Sequence, residues 1–131
     1  MILGQLLDGT PNMTTVYFSP WFPRGGNLAK FTCQVFASES LSGGSEFFRI
    51  LVQTKNSEDS DKGAITPQGG TAQTMSLTAL ALTTWEVGAN LSSANTGFLE
   101  LVRFKYELVS ATAGTEPWVH FRILNPVWLT N

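Results

Sequence analysis

Residues 98–124 contain two runs in which apolar and polar side chains alternate. In the first, residues 98–109, Val102, Phe104, Tyr106 and Leu108 share one parity. Leu99, Leu101, Arg103, Lys105 and Glu107 share the other. In the second, residues 118–124, Val119, Phe121 and Ile123 alternate with Trp118, His120 and Arg122. A period of two sends successive side chains to opposite faces, so each run is an extended strand with one face on a core. The link Ser110-Ala111-Thr112-Ala113-Gly114-Thr115-Glu116 is short, polar and carries a glycine, and the two runs are expected to pair as an antiparallel hairpin. No other segment constrains the fold so tightly.

The remaining strands are expected at residues 14–18, 28–37, 47–54 and 127–129. Residues 75–87 are expected to supply one long strand or two short ones, with an irregularity near Ala79-Leu80. Their threonines are stiff at the first torsion and suit a pleated surface, against a short helix as the competing reading. Residues 47–54 are apolar on both parities, as in a central strand or one whose outer face another chain covers. Pro20-Trp21-Phe22-Pro23-Arg24-Gly25-Gly26 reads as a loop, with prolines that lack a donor and glycines free to take positive φ. The longest connection, residues 55–74, is the expected mobile element. Six to eight strands with frequent turns predict one all-β domain over residues 1–131, an antiparallel two-sheet sandwich with jelly-roll-like connectivity. An immunoglobulin-like order is the alternative.

Composition narrows the function classes. Charged residues make up 14% of the chain and the net charge is −2. A nucleic-acid binder normally carries a strong positive excess, so none is expected as a partner. No apolar run reaches the length of a membrane span, and the start lacks the basic, long apolar pattern of a secretion signal. The single Cys33 permits no internal disulfide, and its parity with Phe31 and Val35 places it in the core.

Candidate chemistry is sparse. His120 is the single histidine, no serine sits in a Gly-x-Ser-x-Gly elbow, and one His with one Cys does not make a zinc site. Glu58, Asp59 and Asp61 form an acidic cluster whose spacing departs from the calcium-loop pattern. No catalytic set, metal or cofactor is therefore expected.

Candidate binding residues are more numerous. If the hairpin aligns its apolar sides, the opposite side gathers Arg103, Lys105, Glu107, Trp118, His120 and Arg122. In the register that pairs Glu107 with His120, Lys105 stands opposite Arg122, and like charges directly opposed destabilise a pair of strands. A carboxylate such as Glu100 or Glu46, or a partner, would have to compensate. This set reads either as a basic, aromatic-edged recognition face or as an ordinary solvated face of mixed charge. Trp21, Phe22 and Arg24 stand in the Pro-Gly loop, where recognition residues often lie, and Trp128 stands in the tail. The aromatics either form platforms or pack beside the core.

Both ends of the chain are apolar, with Ile2, Leu3, Leu6 and Leu7 at one and Val127, Trp128 and Leu129 at the other. Such arms need a surface, their own sheet or a neighbour's. With its low charge and Ser/Thr/Asn/Gly polarity, the whole chain is similar to small β-sandwich virion proteins of bacteriophages, such as head decoration or cement proteins. The likeness is of composition and architecture and carries no residue roles. It implies a non-enzymatic structural protein of the virion, made in the host cytoplasm. Its partners would be itself, a homo-oligomer with a trimer favoured, and a capsid. The alternative is a carbohydrate-binding or other ligand-recognition module that uses the loop aromatics. On the assembly reading, a Trp21→Ala/Phe22→Ala double change is expected to weaken association and leave the fold intact.

Overall fold

A computed structural model describes residues 3–41, 45–67, 74–77, 82–88, 97–114 and 116–129. The strands in chain order are β1 (Leu3–Asp8), β2 (Thr14–Phe18), β3 (Phe22–Pro23), β4 (Leu28–Glu39) and β5 (Phe47–Lys55). They continue with β6 (Thr74–Leu77), β7 (Leu82–Gly88), β8 (Leu101–Val109), β9 (Trp118–Ile123) and β10 (Val127–Leu129). A 3-10 turn covers Asp61–Gly63.

Every pairing among the described residues is antiparallel. The first sheet runs β1-β9-β4-β7, with β10 continuing along the β4 edge beyond β9. The second runs β2-β8-β5-β6, with β3 continuing along the β8 edge beyond β2. The strand pairs β5·β6, β4·β7, β2·β8 and β1·β9 are nested one outside the next along the chain. β8·β5 and β9·β4 then join these ribbons side by side. Two four-position sheets in that order form a jelly roll, the first of the two expected connectivities.

The two alternating runs are strands, but they do not pair. β8 lies in the second sheet and β9 in the first, so the chain changes sheet between Val109 and Trp118. Their apolar parities meet face to face across the core: the rings of Tyr106 and Phe121 stand 4.9 Å apart, edge to face. Phe31 meets Phe104 at 4.9 Å and Phe48 meets Phe121 at 4.7 Å. These aromatic contacts, with Ile50, Val52, Leu108 and Val119, fill the space between the sheets. Burial of each such side chain contributes about 1.5–3 kcal/mol.

Register explains several local outcomes. Phe22 stands opposite Val102, whose side chain points inward, so Phe22 is drawn into the core at 7% exposure and packs 5.7 Å from the Phe104 ring. Trp128 stands opposite the buried Ala29 and closes one end of the core. Its ring lies edge-on to Phe31 at 6.0 Å and Phe98 at 5.3 Å. The glycines of the loop serve this packing and do not adopt positive φ. A Cβ on Gly25 would stand 2.7 Å from the Trp128 ring, and one on Gly26 would stand 2.6 Å from the Leu129 carbonyl oxygen. Gly114 is the glycine with positive φ among the described residues, at 81°.

Both apolar ends of the described chain are tied to their own sheet, as β1 and β10. Residues 75–87 divide into β6 and β7, one in each sheet. The expected irregularity at Ala79-Leu80 lies outside the described residues. So do the middle of the long 55–74 connection at 68–73 and the side chain of Trp85. The described part of that connection is held by reciprocal backbone bonds between Thr54 and Ile65, of 2.8 and 2.9 Å.

Candidate functional site

The nine candidate residues do not form one surface. Since β8 and β9 occupy different sheets, Arg103 and Lys105 face outward from one side of the sandwich, and Trp118, His120 and Arg122 from the other. Phe22 belongs to the core, and Trp128 is half-buried against it. Arg24 fastens the loop, donating from Nη1 to the Phe98 carbonyl at 2.7 Å and from its backbone N–H to the Glu100 carbonyl at 3.1 Å.

On the first sheet, Leu6 stands opposite His120, and Arg122 stands opposite Gln34, which in turn faces Leu82 on β7. The β4 ladder slips between Val35 and Ala37, leaving Phe36 as the extra residue of a bulge. Its ring lies 5.1 Å from His120 and 5.0 Å from the Arg122 guanidinium, whose Nε donates to Gln34 Oε1 at 3.0 Å. The slip also reverses the parity beyond it. Glu39 is thereby brought opposite Trp118, whose Nε1 donates to Glu39 Oε2 at 2.7 Å. Leu6, Phe36 and Leu82 are 58%, 41% and 68% exposed. They form a band from β1 through β4 to β7 in which β9 places His120 and Arg122 between Leu6 and Phe36.

On the second sheet the outward residues of β5 and β8 form a network. Glu107 accepts from Arg49 Nη2 at 2.6 Å and lies 3.8 Å from Lys105 Nζ. The Arg103 guanidinium is packed against the rings of Phe18 and Trp21, at 3.9 and 4.5 Å, and its Nε donates to Gln53 Oε1 at 2.8 Å. Such stacking suits a planar, weakly hydrated cation. Asp61, on the 3-10 turn, closes the group. Its Oδ1 accepts from Lys55 Nζ at 2.9 Å and from Trp21 Nε1 at 3.1 Å, and its Oδ2 lies 3.7 Å from Arg103 Nη1. The Lys55 hydrogen bond, the Lys55 charge, the Trp21 N–H and the Arg103 charge hold the Asp61 carboxyl below its ordinary range.

The expected opposition of Lys105 and Arg122 does not form, because they lie on different sheets; Lys105 and Arg103 have Glu107 and Asp61 as their nearby carboxylates. Glu46 is buried, Glu100 accepts from Ser57 Oγ at 3.3 Å, and among the described residues neither forms an ion pair with Arg103, Lys105 or Arg122. Lys55 and Phe18 were missed from sequence, and Asp61 was read only as part of the acidic cluster. The available signal was a lysine and an arginine on outward parities of β5 and β8 without a carboxylate between them. The supplier is a loop residue, which no periodicity marks. The acidic cluster is likewise engaged locally, with Asp59 Oδ2 accepting from the Asn56 backbone N–H at 3.1 Å. Among the described residues no group of three or more His, Cys, Asp or Glu is placed to hold a metal ion.

Cys33 is fully buried, as its parity required, and burial pushes its thiol up to about 12. Tyr106 is raised by burial first, then by the neighbouring Cys33. Neither group is placed to ionise near neutral pH. No helix among the described residues is long and apolar enough to cross a membrane. Compared with known proteins, the chain matches no family model and no curated protein sequence.

Proposed function

We propose that this protein is a structural subunit of a larger protein assembly, a capsid decoration or minor virion component, that acts through protein–protein contacts. The observation that carries the reading is the band of Leu6, Phe36 and Leu82 across the outer face of the first sheet. Large apolar side chains on one face, interspersed with His120 and Arg122, favour a partner surface over water. The jelly roll is a fold that viral capsid domains use, although lectin domains and cupins share it. Low charge lowers the electrostatic cost of bringing copies together. A closed cyclic homo-oligomer, a trimer foremost, is the proposed self-association.

Light scattering after size exclusion, at two protein concentrations, tests this reading. The expected result is an oligomer that a Phe36→Ser/Leu82→Ser variant converts to monomer with unchanged circular dichroism. Equal masses for the parent and the variant, with equal binding to purified capsid shells, would refute it.

The recognition-module alternative loses its platform in the Pro-Gly loop. Phe22 is in the core, and Trp21 is already engaged with Lys55, Arg103 and Asp61.

A further inference from the structure

Beside the Arg103 stack, the outer face of the second sheet opens into a cleft of about 430 Å³ lined by Phe18, Gln53, Asp61, Lys62, Ala64 and Arg103. Its volume lies within the range of small-molecule sites. Arg103 is only 8% exposed, and its guanidinium is fixed by two rings and by the Gln53 amide. Nη1 lies 3.7 Å from Asp61 Oδ2, too far for a hydrogen bond. The terminal N–H groups of this immobilised fork therefore keep donors in hand among the described residues, and Asp61 Oδ2 keeps acceptor capacity. Lys62, exposed at the rim, adds a second cation. Phe18, at 47% exposure, adds an apolar wall.

We propose that this cleft binds a carboxylate-bearing saccharide, a hexuronic or sialic acid, with the sugar carboxylate seated on the terminal N–H groups of Arg103. A fixed guanidinium matches a carboxylate with two parallel hydrogen bonds and orients it. Asp61 selects the rest of the ligand. Its carboxylate accepts hydrogen bonds from sugar hydroxyls, and its repulsion of a carboxylate seated beside it on Arg103 is offset, for a single negative charge, by Arg103, Lys55 and Lys62. A segment of consecutive acidic side chains from a protein partner offers acceptors alone and meets that repulsion. The aromatic wall accommodates the apolar face of a pyranose ring. The site is independent of the assembly band, which lies on the opposite sheet.

The test is a titration of the full chain, followed by amide shifts, with glucuronic acid and with N-acetylneuraminic acid. The methyl ester of glucuronic acid, glucose and a glutamate-rich peptide serve as comparisons. Saturable shifts confined to the cleft residues are expected with the acids. Binding should be roughly tenfold weaker for the ester and for Arg103→Lys, which keeps the charge but loses the fork. Lys62→Ala, at an exposed position, should weaken acid binding without disturbing the spectrum elsewhere. Absence of saturable shifts with both acids, or an equal response to ester or glucose, overturns the proposal. So does tighter binding of the glutamate peptide, which would assign the cleft to a protein partner. If Arg103→Lys fails to fold, undiminished binding by Lys62→Ala together with an equal response to the ester overturns it as well.

Discussion

Trp21 and Phe22 are neighbours in one Pro-Gly loop, and their truncation should have very different consequences. Phe22 is 7% exposed and rests on the Phe104 ring, so Phe22→Ala leaves a cavity between the sheets. Buried Phe→Ala changes cost about 3–5 kcal/mol. Phe22 also borders an open cavity of about 390 Å³ with Pro23, Asn125, Pro126 and Trp128, which lets the site relax. The lower end, about 3 kcal/mol, is therefore expected. Trp21→Ala removes one exposed hydrogen bond to Asp61, worth about 0.5–1 kcal/mol, and cation–π contacts to Lys55 and Arg103, worth about 0.5–1 kcal/mol. Its total is about 1–2 kcal/mol. For a domain of this length each kcal/mol shifts Tm by roughly 3–5 °C, so Phe22→Ala should lower Tm by roughly 10–15 °C. Urea unfolding followed by circular dichroism, with the slope m unchanged, measures both variants. A cost for Phe22→Ala at or below that for Trp21→Ala would refute the placement of Phe22 in the core. The double variant is thus a stability variant, unsuited to testing association.

Three further outcomes follow from local geometry. Gly25→Ala places a Cβ 2.7 Å from the Trp128 ring and should cost about 1–3 kcal/mol by overpacking. A double-mutant cycle with Trp128→Ala should recover most of that cost, and strict additivity would exclude the clash. Because the Asp61 carboxyl lies below its ordinary 3.8, its anchoring of the 3-10 turn is present above that pH and is lost as pH falls through the lowered value. The Lys55 and Ala64 amide shifts should titrate together in that acid window in the parent protein. Persistence of the same titration in Asp61→Asn would refute the assignment. The Cys33 thiol, buried and raised to about 12, should resist alkylation at pH 8 until the protein is unfolded by urea. Rapid native-state labelling would contradict its placement.

Much of this protein was legible in its sequence because parity survives any arrangement of strands. The alternation of Phe31, Cys33 and Val35, of Phe104, Tyr106 and Leu108, and of Val119, Phe121 and Ile123 named inward side chains that are buried in the structure. Strand partners were not legible in the same way. Two alternating runs bury the same side chains whether they lie edge to edge in one sheet or face to face across a core. The link between them is short enough for a hairpin and long enough to cross between sheets about 10 Å apart. Only closure of the nested ribbons around one core chose the second arrangement. That choice separated Arg103 and Lys105 from Trp118, His120 and Arg122. Tertiary structure likewise drew Phe22 inward through its register with Val102 and brought Asp61 from a loop onto Lys55 and Arg103. Sequence determined the faces of the strands, since side-chain direction is a local property of the extended backbone. The neighbours of those faces were decided by packing, because contacts between residues distant in the chain exist only once the core has closed.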